Sequence, residues 1–188
     1  NLETMAYLTR YDSTHGRFPG QVDSRPGALL IDGREIAVSS AEALDGLDWQ
    51  RHGVDLVFEC TGAFTSRERA AEHLRRGARR VMFSQPADAD VDATIVYGIN
   101  HGLLRGDERV VSAASCTTNC IVPVSDTLAR ELGVESGVIT TIHSAMNDQP
   151  VLDAYHHTDL RKTRAALQSM IPVDTGLAAG IGRVLPEL

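Results

Sequence analysis

The order of apolar and polar residues predicts alternating helices and strands along the whole chain. Residues 2 to 10 have apolar positions at helical spacing, so the chain is expected to begin inside a helix. A polar loop follows at residues 12 to 20, where two glycines and a proline interrupt the pattern. The runs 28 to 31 and 35 to 38 flank Asp32-Gly33, a dipeptide typical of a two-residue turn, and predict an antiparallel hairpin.

The middle of the chain predicts two parallel strands joined by a helix. Residues 54 to 60 form an apolar run that stops at Thr61-Gly62. Thr65 and Glu68 have the spacing of a capping box and are expected to open the helix. A second strand at residues 80 to 83 completes a strand-helix-strand unit of roughly 30 residues, which requires a right-handed parallel crossover.

A long helix is predicted to begin near Cys116. Pro123 fits only near the first turn of a helix, which places the N-terminus close to Cys116 or Thr117, and Gly133 ends the helix. Cys120, one turn after Cys116, is expected to face the core. Three further short strands are predicted, at residues 93 to 97, 110 to 112 and 138 to 142. Strands and helices alternate throughout, so the predicted fold class is α/β.

Composition narrows the classes of partner. The formal charge of −7 and the pI of about 5.4 argue against nucleic acid or an anionic membrane as a partner, because binding phosphates takes clustered basic residues. No apolar run approaches the ~20 residues of a membrane helix, and no secretion signal is recognisable. Three cysteines are too few for a disulfide framework. A reducing compartment, the cytoplasm, is therefore expected.

Cys116 stands where a strand ends and a helix begins. The unpaired N–H groups and the dipole of a helix N-terminus favour the thiolate over the thiol, which makes a cysteine there a candidate nucleophile. A cysteine at such a position can also be a small core residue. Position alone leaves both interpretations open.

His143 follows the predicted strand at residues 138 to 142 and is expected at the carboxyl edge of a sheet, where α/β folds bind ligands. A histidine beside the Cys116 thiol is the pairing that thiol catalysis requires. From these residues alone, the pair is compatible with an oxidoreductase, with a Cys-His acyl hydrolase, or with a non-catalytic module in which the thiol is inert.

The segment Ser112-Ala-Ala-Ser-Cys-Thr-Thr-Asn-Cys120 closely resembles the active-site signature of the glyceraldehyde-3-phosphate dehydrogenase family. The spacing of 27 positions from Cys116 to His143 agrees with the family's cysteine-histidine spacing. Further matching segments follow in the family's order, at Tyr11 to Gly20, Glu59 to Phe64, Ile171-Pro172 and Val184 to Glu187. The matches extend over essentially the whole chain.

Within this family, the chain most resembles the erythrose-4-phosphate dehydrogenases. The supporting segments are His143 to Gln149, Asp153 to His156 and Ile171 to Thr175. Met146 also stands where glyceraldehyde-3-phosphate enzymes usually place a phosphate-binding threonine. The resemblance therefore implies NAD-dependent oxidation of D-erythrose 4-phosphate to 4-phosphoerythronate, a reaction of pyridoxal phosphate synthesis. The alternative that it implies is the phosphorylating oxidation of glyceraldehyde 3-phosphate in glycolysis.

The resemblance also implies roles for individual residues. Cys116 is the expected nucleophile and His143 the expected acid-base group. The residues expected to bind the phosphorylated aldehyde are Ser115, Thr117, Lys162, Thr175 and Gly176. The residues expected to bind NAD are Thr61, Gly62 and Ser84.

Two of these assignments have alternatives in the sequence itself. Thr175-Gly176 has the character of an ordinary helix cap. Arg161 can replace Lys162, which occupies the position of the family's anion-binding arginine.

His156-His157 has no companion ligands at metal-binding spacing, so no metal is expected.

The resemblance divides the chain into the remainder of an NAD-binding Rossmann domain, residues 1–115, and the beginning of an α+β catalytic domain, residues 116–188. The family's glycine-rich phosphate loop and its second substrate-binding arginine fall outside these residues. The chain is therefore expected to be an internal fragment that is inactive by itself. Ala113 and Glu42 depart from the family pattern, and a homotetramer is expected by resemblance.

Overall fold

The structure, a computed structural model, describes residues 1 to 188. It is an α/β fold, as predicted, with two compact units, Asn1–Leu47 and Asp48–Leu188. No helix combines the length and the apolar character needed to cross a bilayer. The helices are α1 (Leu2–Arg10), α2 (Arg67–Arg75), α3 (Cys116–Leu132) and α4 (Leu177–Val184). The strands are β1 (Tyr11–Asp12), β2 (Gly16–Arg17), β3 (Val22–Arg25), β4 (Ala28–Ile31), β5 (Arg34–Ala37), β6 (Leu56–Glu59), β7 (Arg80–Phe83), β8 (Ala93–Thr94) and β9 (Val110–Ser112).

The first unit packs α1 on a three-stranded antiparallel sheet, in the order β3-β4-β5. Asp32 and Gly33 both have positive φ, +48° and +77°, which is the backbone of the predicted two-residue turn. This turn sets the register between β4 and β5, in which Ile31 lies opposite Arg34. Ala6 of α1 packs against Val22 and other apolar side chains of this unit. The predicted helix and hairpin are confirmed.

The second unit contains a parallel sheet in the order β6-β7-β9-β8. The crossover from β6 to β7 passes through α2, as predicted. Val81, Phe83 and Val110 are fully buried in this sheet, and Ala70 of α2 packs against them. Because all four strands run in the same direction, their carboxyl ends meet at one edge.

Two boundaries in this unit differ from the prediction. Ser66, rather than Thr65, is the N-cap of α2, and its hydroxyl accepts a hydrogen bond from the Arg69 backbone N–H at 3.4 Å. The Thr65 hydroxyl instead donates to Asp88 at 3.0 Å. The strand predicted at residues 93 to 97 is shortened to Ala93–Thr94, the two residues that pair with β9.

The long helix α3 starts at Cys116, as predicted, and ends at Leu132, with Gly133 as its C-cap. The expected place of Pro123 near the first turn is wrong, because Pro123 lies inside the helix. The expectation that Cys120 faces the core is wrong, because its side chain is exposed. The buried positions of α3 are Thr118 and Val122. Cys120 lies roughly 200° around the helix from each of them, which directs it away from the core.

The strand predicted at residues 138 to 142 does not form. The backbone of these residues has no regular structure, and Val138 and Ile142 are 96% and 90% exposed. An apolar run becomes a strand only where neighbouring backbone pairs with it, and no strand of this chain pairs with it. His143 therefore lies on an irregular segment rather than at a strand end.

Candidate active site

A sharp turn connects the end of β9 to the start of α3. The backbone N–H of Ala113 donates to the Phe83 carbonyl at 2.9 Å, which ties the turn to β7. The Ser112 hydroxyl donates to the Gln85 carbonyl at 2.8 Å and accepts from the Ala114 N–H at 3.1 Å. Ala114 has φ +61°, a conformation uncommon for a residue with a Cβ. This turn places Cys116 at the first position of the helix.

Side chains from the first turn of α3 hold this turn in place. Asn119 donates from its amide to the carbonyls of Ala113 and Ser115, at 2.8 and 2.9 Å. The Ser115 hydroxyl caps the helix by accepting from the Thr118 N–H at 2.9 Å, and it lies 3.0 Å from the Thr117 hydroxyl. Sequence reasoning missed Asn119. The available signal was an asparagine inside a helix, where its side chain tends to bond nearby backbone.

Replacing Asn119 with alanine is expected to slow alkylation of Cys116 about tenfold, because two hydrogen bonds that hold the preceding turn are lost. The measurement is the rate of thiol alkylation in the complete protein. Thr127→Ala is the matched control on the same helix, since the Thr127 hydroxyl bonds only the Pro123 carbonyl. An unchanged alkylation rate in Asn119→Ala would show that the turn holds without this side chain.

The structure brings Cys116 and His143 together. The Cys116 Sγ lies 3.4 Å from the His143 Nε2. The other ring nitrogen, Nδ1, lies 2.8 Å from the Ser144 carbonyl oxygen. Because a carbonyl can only accept, Nδ1 carries a proton, and Nε2 is left to exchange a proton with the thiol.

Both side chains have shifted acidities. The hydrogen bond to His143 lowers the pKa of the Cys116 thiol, the Thr117 backbone N–H adds to this, and partial burial opposes it. The Ser144 carbonyl raises the pKa of the His143 imidazole, and the Cys116 thiol and Asp148 raise it further. The two directions together favour a thiolate beside an imidazolium, the reactive form of a catalytic cysteine.

The two basic side chains expected near the substrate are both paired with carboxylates. The Lys162 Nζ lies 2.9 Å from an Asp148 carboxylate oxygen. Arg161 forms a two-pronged contact with Asp159, with both distances at 3.0 Å, and also reaches Asp174 at 3.4 Å. An anionic substrate must therefore compete with Asp148 for Lys162, or with two carboxylates for Arg161.

Thr175 and Gly176 lie at the start of α4. The Thr175 hydroxyl accepts from the Leu177 N–H at 3.2 Å, and Gly176 is the N-cap. These contacts match the helix-capping role that the sequence left open. Gly180, one turn later, approaches Thr118 so closely that an added Cβ would lie 2.9 Å from its hydroxyl oxygen. The N-terminal half of α4 thus lies beside the first turn of α3.

Thr61, Gly62 and Ser84 lie together at the carboxyl ends of β6 and β7. The Ser84 N–H donates to the Glu59 carbonyl at 3.0 Å, which joins the two strand ends. Gly62 has φ +69°, and a Cβ there would meet no atom within 4 Å, so the requirement for glycine is conformational. Exposed hydroxyl and peptide groups at this edge fit a dinucleotide, which α/β sheets bind at the carboxyl ends of their strands. No hydrogen bond joins this group to Cys116 or His143.

Two family models match the chain, one at each end. The model described as glyceraldehyde 3-phosphate dehydrogenase, NAD binding domain, matches residues 1–67, and that described as glyceraldehyde 3-phosphate dehydrogenase, C-terminal domain, matches residues 115–188. The chain belongs to the glyceraldehyde-3-phosphate dehydrogenase family. The second match begins at the N-cap of α3, and the first includes Thr61 and Gly62.

Two relatives from Cupriavidus necator are each 51% identical to the chain over 188 residues. Both are named glyceraldehyde-3-phosphate dehydrogenase, one chromosomal and one plasmid-encoded. The alignments cover the whole of this chain and 56% of each relative. The predicted family and its cofactor, NAD, are confirmed, and the names of these relatives fit the triose phosphate alternative at least as well as erythrose 4-phosphate.

Proposed function

We propose that the complete protein is an NAD-dependent dehydrogenase that oxidises a phosphorylated aldehyde through a covalent intermediate on Cys116. The observation that carries this proposal is the contact between Cys116 and His143 at the start of α3. The shifted acidities of the pair favour the thiolate. A thiolate attacks an aldehyde carbon far more readily than a thiol does.

In the first step, the Cys116 sulfur bonds to the aldehyde carbon, and the carbonyl oxygen becomes an oxyanion. The imidazolium of His143 donates its Nε2 proton to this oxygen, which gives a neutral thiohemiacetal. His143 then takes the hydroxyl proton back as hydride leaves the same carbon, and a thioester remains on Cys116. Attack by inorganic phosphate or by water breaks the carbon–sulfur bond and releases an acyl phosphate or a carboxylic acid.

The cofactor supplies the hydride acceptor when it is bound. Thr61, Gly62 and Ser84 are the residues of this chain that would hold it, since they offer exposed polar groups at the carboxyl edge of the parallel sheet. Ser115, Thr117 and Lys162 would contact the anionic oxygens of the substrate. For Lys162, substrate binding would replace the ion pair with Asp148.

Glyceraldehyde 3-phosphate is the first candidate substrate, because the two relatives carry that name at 51% identity. Erythrose 4-phosphate is the second, and a specific residue favours it. Met146, which is 51% exposed and three residues after His143, offers no hydroxyl for a substrate phosphate. A longer substrate would reach its phosphate partners elsewhere in the site.

Steady-state rates of the complete protein on both aldehydes, with and without inorganic phosphate, separate the two candidates. A kcat/KM at least about tenfold higher for the triose, with turnover that requires phosphate, is expected for the first candidate. Met146→Thr is expected to raise kcat/KM for the triose relative to the tetrose by restoring a hydroxyl. A tenfold preference for the tetrose would assign the second candidate, and turnover without NAD would contradict the dehydrogenase proposal.

A further inference from the structure

Three polar side chains, two of them buried and one half-buried, form a row of hydrogen bonds under the edge of the sheet that carries Thr61 and Ser84. The Trp49 indole Nε1 lies 3.0 Å from the His73 Nδ1, and the His73 Nε2 lies 3.1 Å from a Glu59 carboxylate oxygen. Glu59 and His73 are each only 3% exposed. Side chains from β6 and α2 therefore meet in the interior, and the half-buried Trp49, from the segment before β6, joins them from the side nearer the solvent.

The chain of hydrogen bonds has one direction. An indole N–H can only donate, so the His73 Nδ1 must accept and its Nε2 must carry the proton that Glu59 accepts. Burial raises the pKa of Glu59, but contacts with Thr61 and His73 outweigh it and the net shift is downward. Glu59 is thus an ionised, buried carboxylate whose orientation is set by two donors.

The second carboxylate oxygen of Glu59 contacts the Thr61-Gly62 turn that follows β6. It accepts from the Thr61 backbone N–H at 2.7 Å. The Thr61 hydroxyl accepts in turn from the Ala63 N–H at 3.1 Å, which closes the turn around Gly62. The Glu59 carbonyl accepts from the Ser84 N–H, so this one residue contacts both strand ends.

We propose that Trp49, His73 and Glu59 are positioning residues that hold the Thr61-Gly62 turn in the conformation that binds the dinucleotide. This inference rests on the NAD-dependent function proposed above. A simple packing role would need neither a charge nor a directed chain of donors, since an apolar side chain fills the same space without a desolvation cost.

Glu59→Gln, made in the complete protein, tests the direction of the hydrogen bonds that run from Trp49 through His73 to Glu59. An amide cannot accept from both Thr61 and His73, because one of its two ends is itself a donor. The dissociation constant for NAD is therefore expected to rise about tenfold. The alkylation rate of Cys116 without cofactor is expected to stay unchanged. Glu72→Gln is the matched control and should bind NAD normally, because Glu72 is a half-buried neighbour of His73 on α2 that pairs with Arg69 instead of Glu59 or Thr61.

Adding Trp49→Phe separates positioning from a structural role. Without the indole donor, His73 can move its proton to Nδ1 and accept from the new amide at Nε2. The double variant should then bind NAD at least about threefold more tightly than Glu59→Gln alone. Nitrogen NMR of His73 should report the change from the Nε2–H to the Nδ1–H form. If Glu59→Gln does not fold, Trp49→Phe alone should weaken NAD binding about threefold.

Three outcomes decide the inference. It is overturned if Glu59→Gln lowers the melting temperature but leaves the NAD dissociation constant unchanged, or if the two substitutions weaken binding additively. The same holds if Trp49→Phe, used alone, binds NAD normally. A wild-type protein that binds no NAD would overturn the cofactor assignment as well, so the two failures are distinguishable.

Discussion

Replacing Cys116 with serine is expected to lower kcat of the complete protein by at least roughly four orders of magnitude, because the covalent step loses its nucleophile. A serine hydroxyl next to His143 stays protonated near neutral pH. The Cys116 thiol, in contrast, has a lowered pKa that makes the thiolate available for attack. The change in volume is small, so the fold and NAD binding are expected to persist. Reduced nicotinamide formation under saturating aldehyde measures the effect.

Cys120→Ser is the matched control for this substitution. Cys120 lies one turn further along α3, is also exposed, and has no histidine partner. The control is expected to keep wild-type turnover within about twofold, as surface substitutions usually do. A Cys116→Ser variant with more than about a hundredth of wild-type activity would contradict the covalent mechanism. Equal losses in both variants would point to the helix rather than to the thiol.

Replacing His143 with glutamine is expected to lower kcat about 10²- to 10⁴-fold, through loss of the acid-base group. It also shifts the pH dependence of Cys116 alkylation. The thiolate exists above the pKa of the thiol, and His143 lowers that pKa, so wild-type protein reacts at lower pH than a free cysteine would. Without His143, the alkylation midpoint moves upward toward the ordinary thiol value. Alkylation rates across a pH series check this shift.

The same series tests the raised pKa of His143. Above that pKa the imidazole is neutral, and the thiolate loses its cationic partner. Wild-type alkylation is therefore expected to show two transitions, and His143→Gln only one at higher pH. His157→Gln, which removes an exposed histidine from the same segment, should leave the profile unchanged. A coincident profile for His143→Gln and wild type would show that the pair does not couple in solution.

Local patterns were sufficient to predict much of the fold. The hairpin at Asp32-Gly33 follows from two residues that tolerate positive φ. The start of α3 follows from Ser115, whose side chain caps the helix. Pro123 does not set this start, because it lies inside the helix rather than in its first turn. Both signals act over a few neighbouring residues, so they are present in the sequence itself.

The failures share a dependence on distant residues. The apolar run at residues 138 to 142 has the composition of a strand, but a strand needs paired backbone, and no strand pairs with this run. The orientation of Cys120 depends on the face of α3 that the core selects, which is the face of Thr118 and Val122. The ion pair of Lys162 with Asp148 joins residues 14 positions apart and has no local signal.

By itself, the sequence determined the family, the α/β class and the candidate nucleophile, because motif order, periodicity and helix-start signals are local. Only the tertiary structure decided how the parts meet. It brought His143 within 3.4 Å of Cys116 without the strand that the sequence predicted. It also buried Glu59 with His73 under the carboxyl edge of the parallel sheet. Residues 27 and 14 positions apart come into contact only when the chain folds, since long-range packing has no counterpart in a sequence pattern.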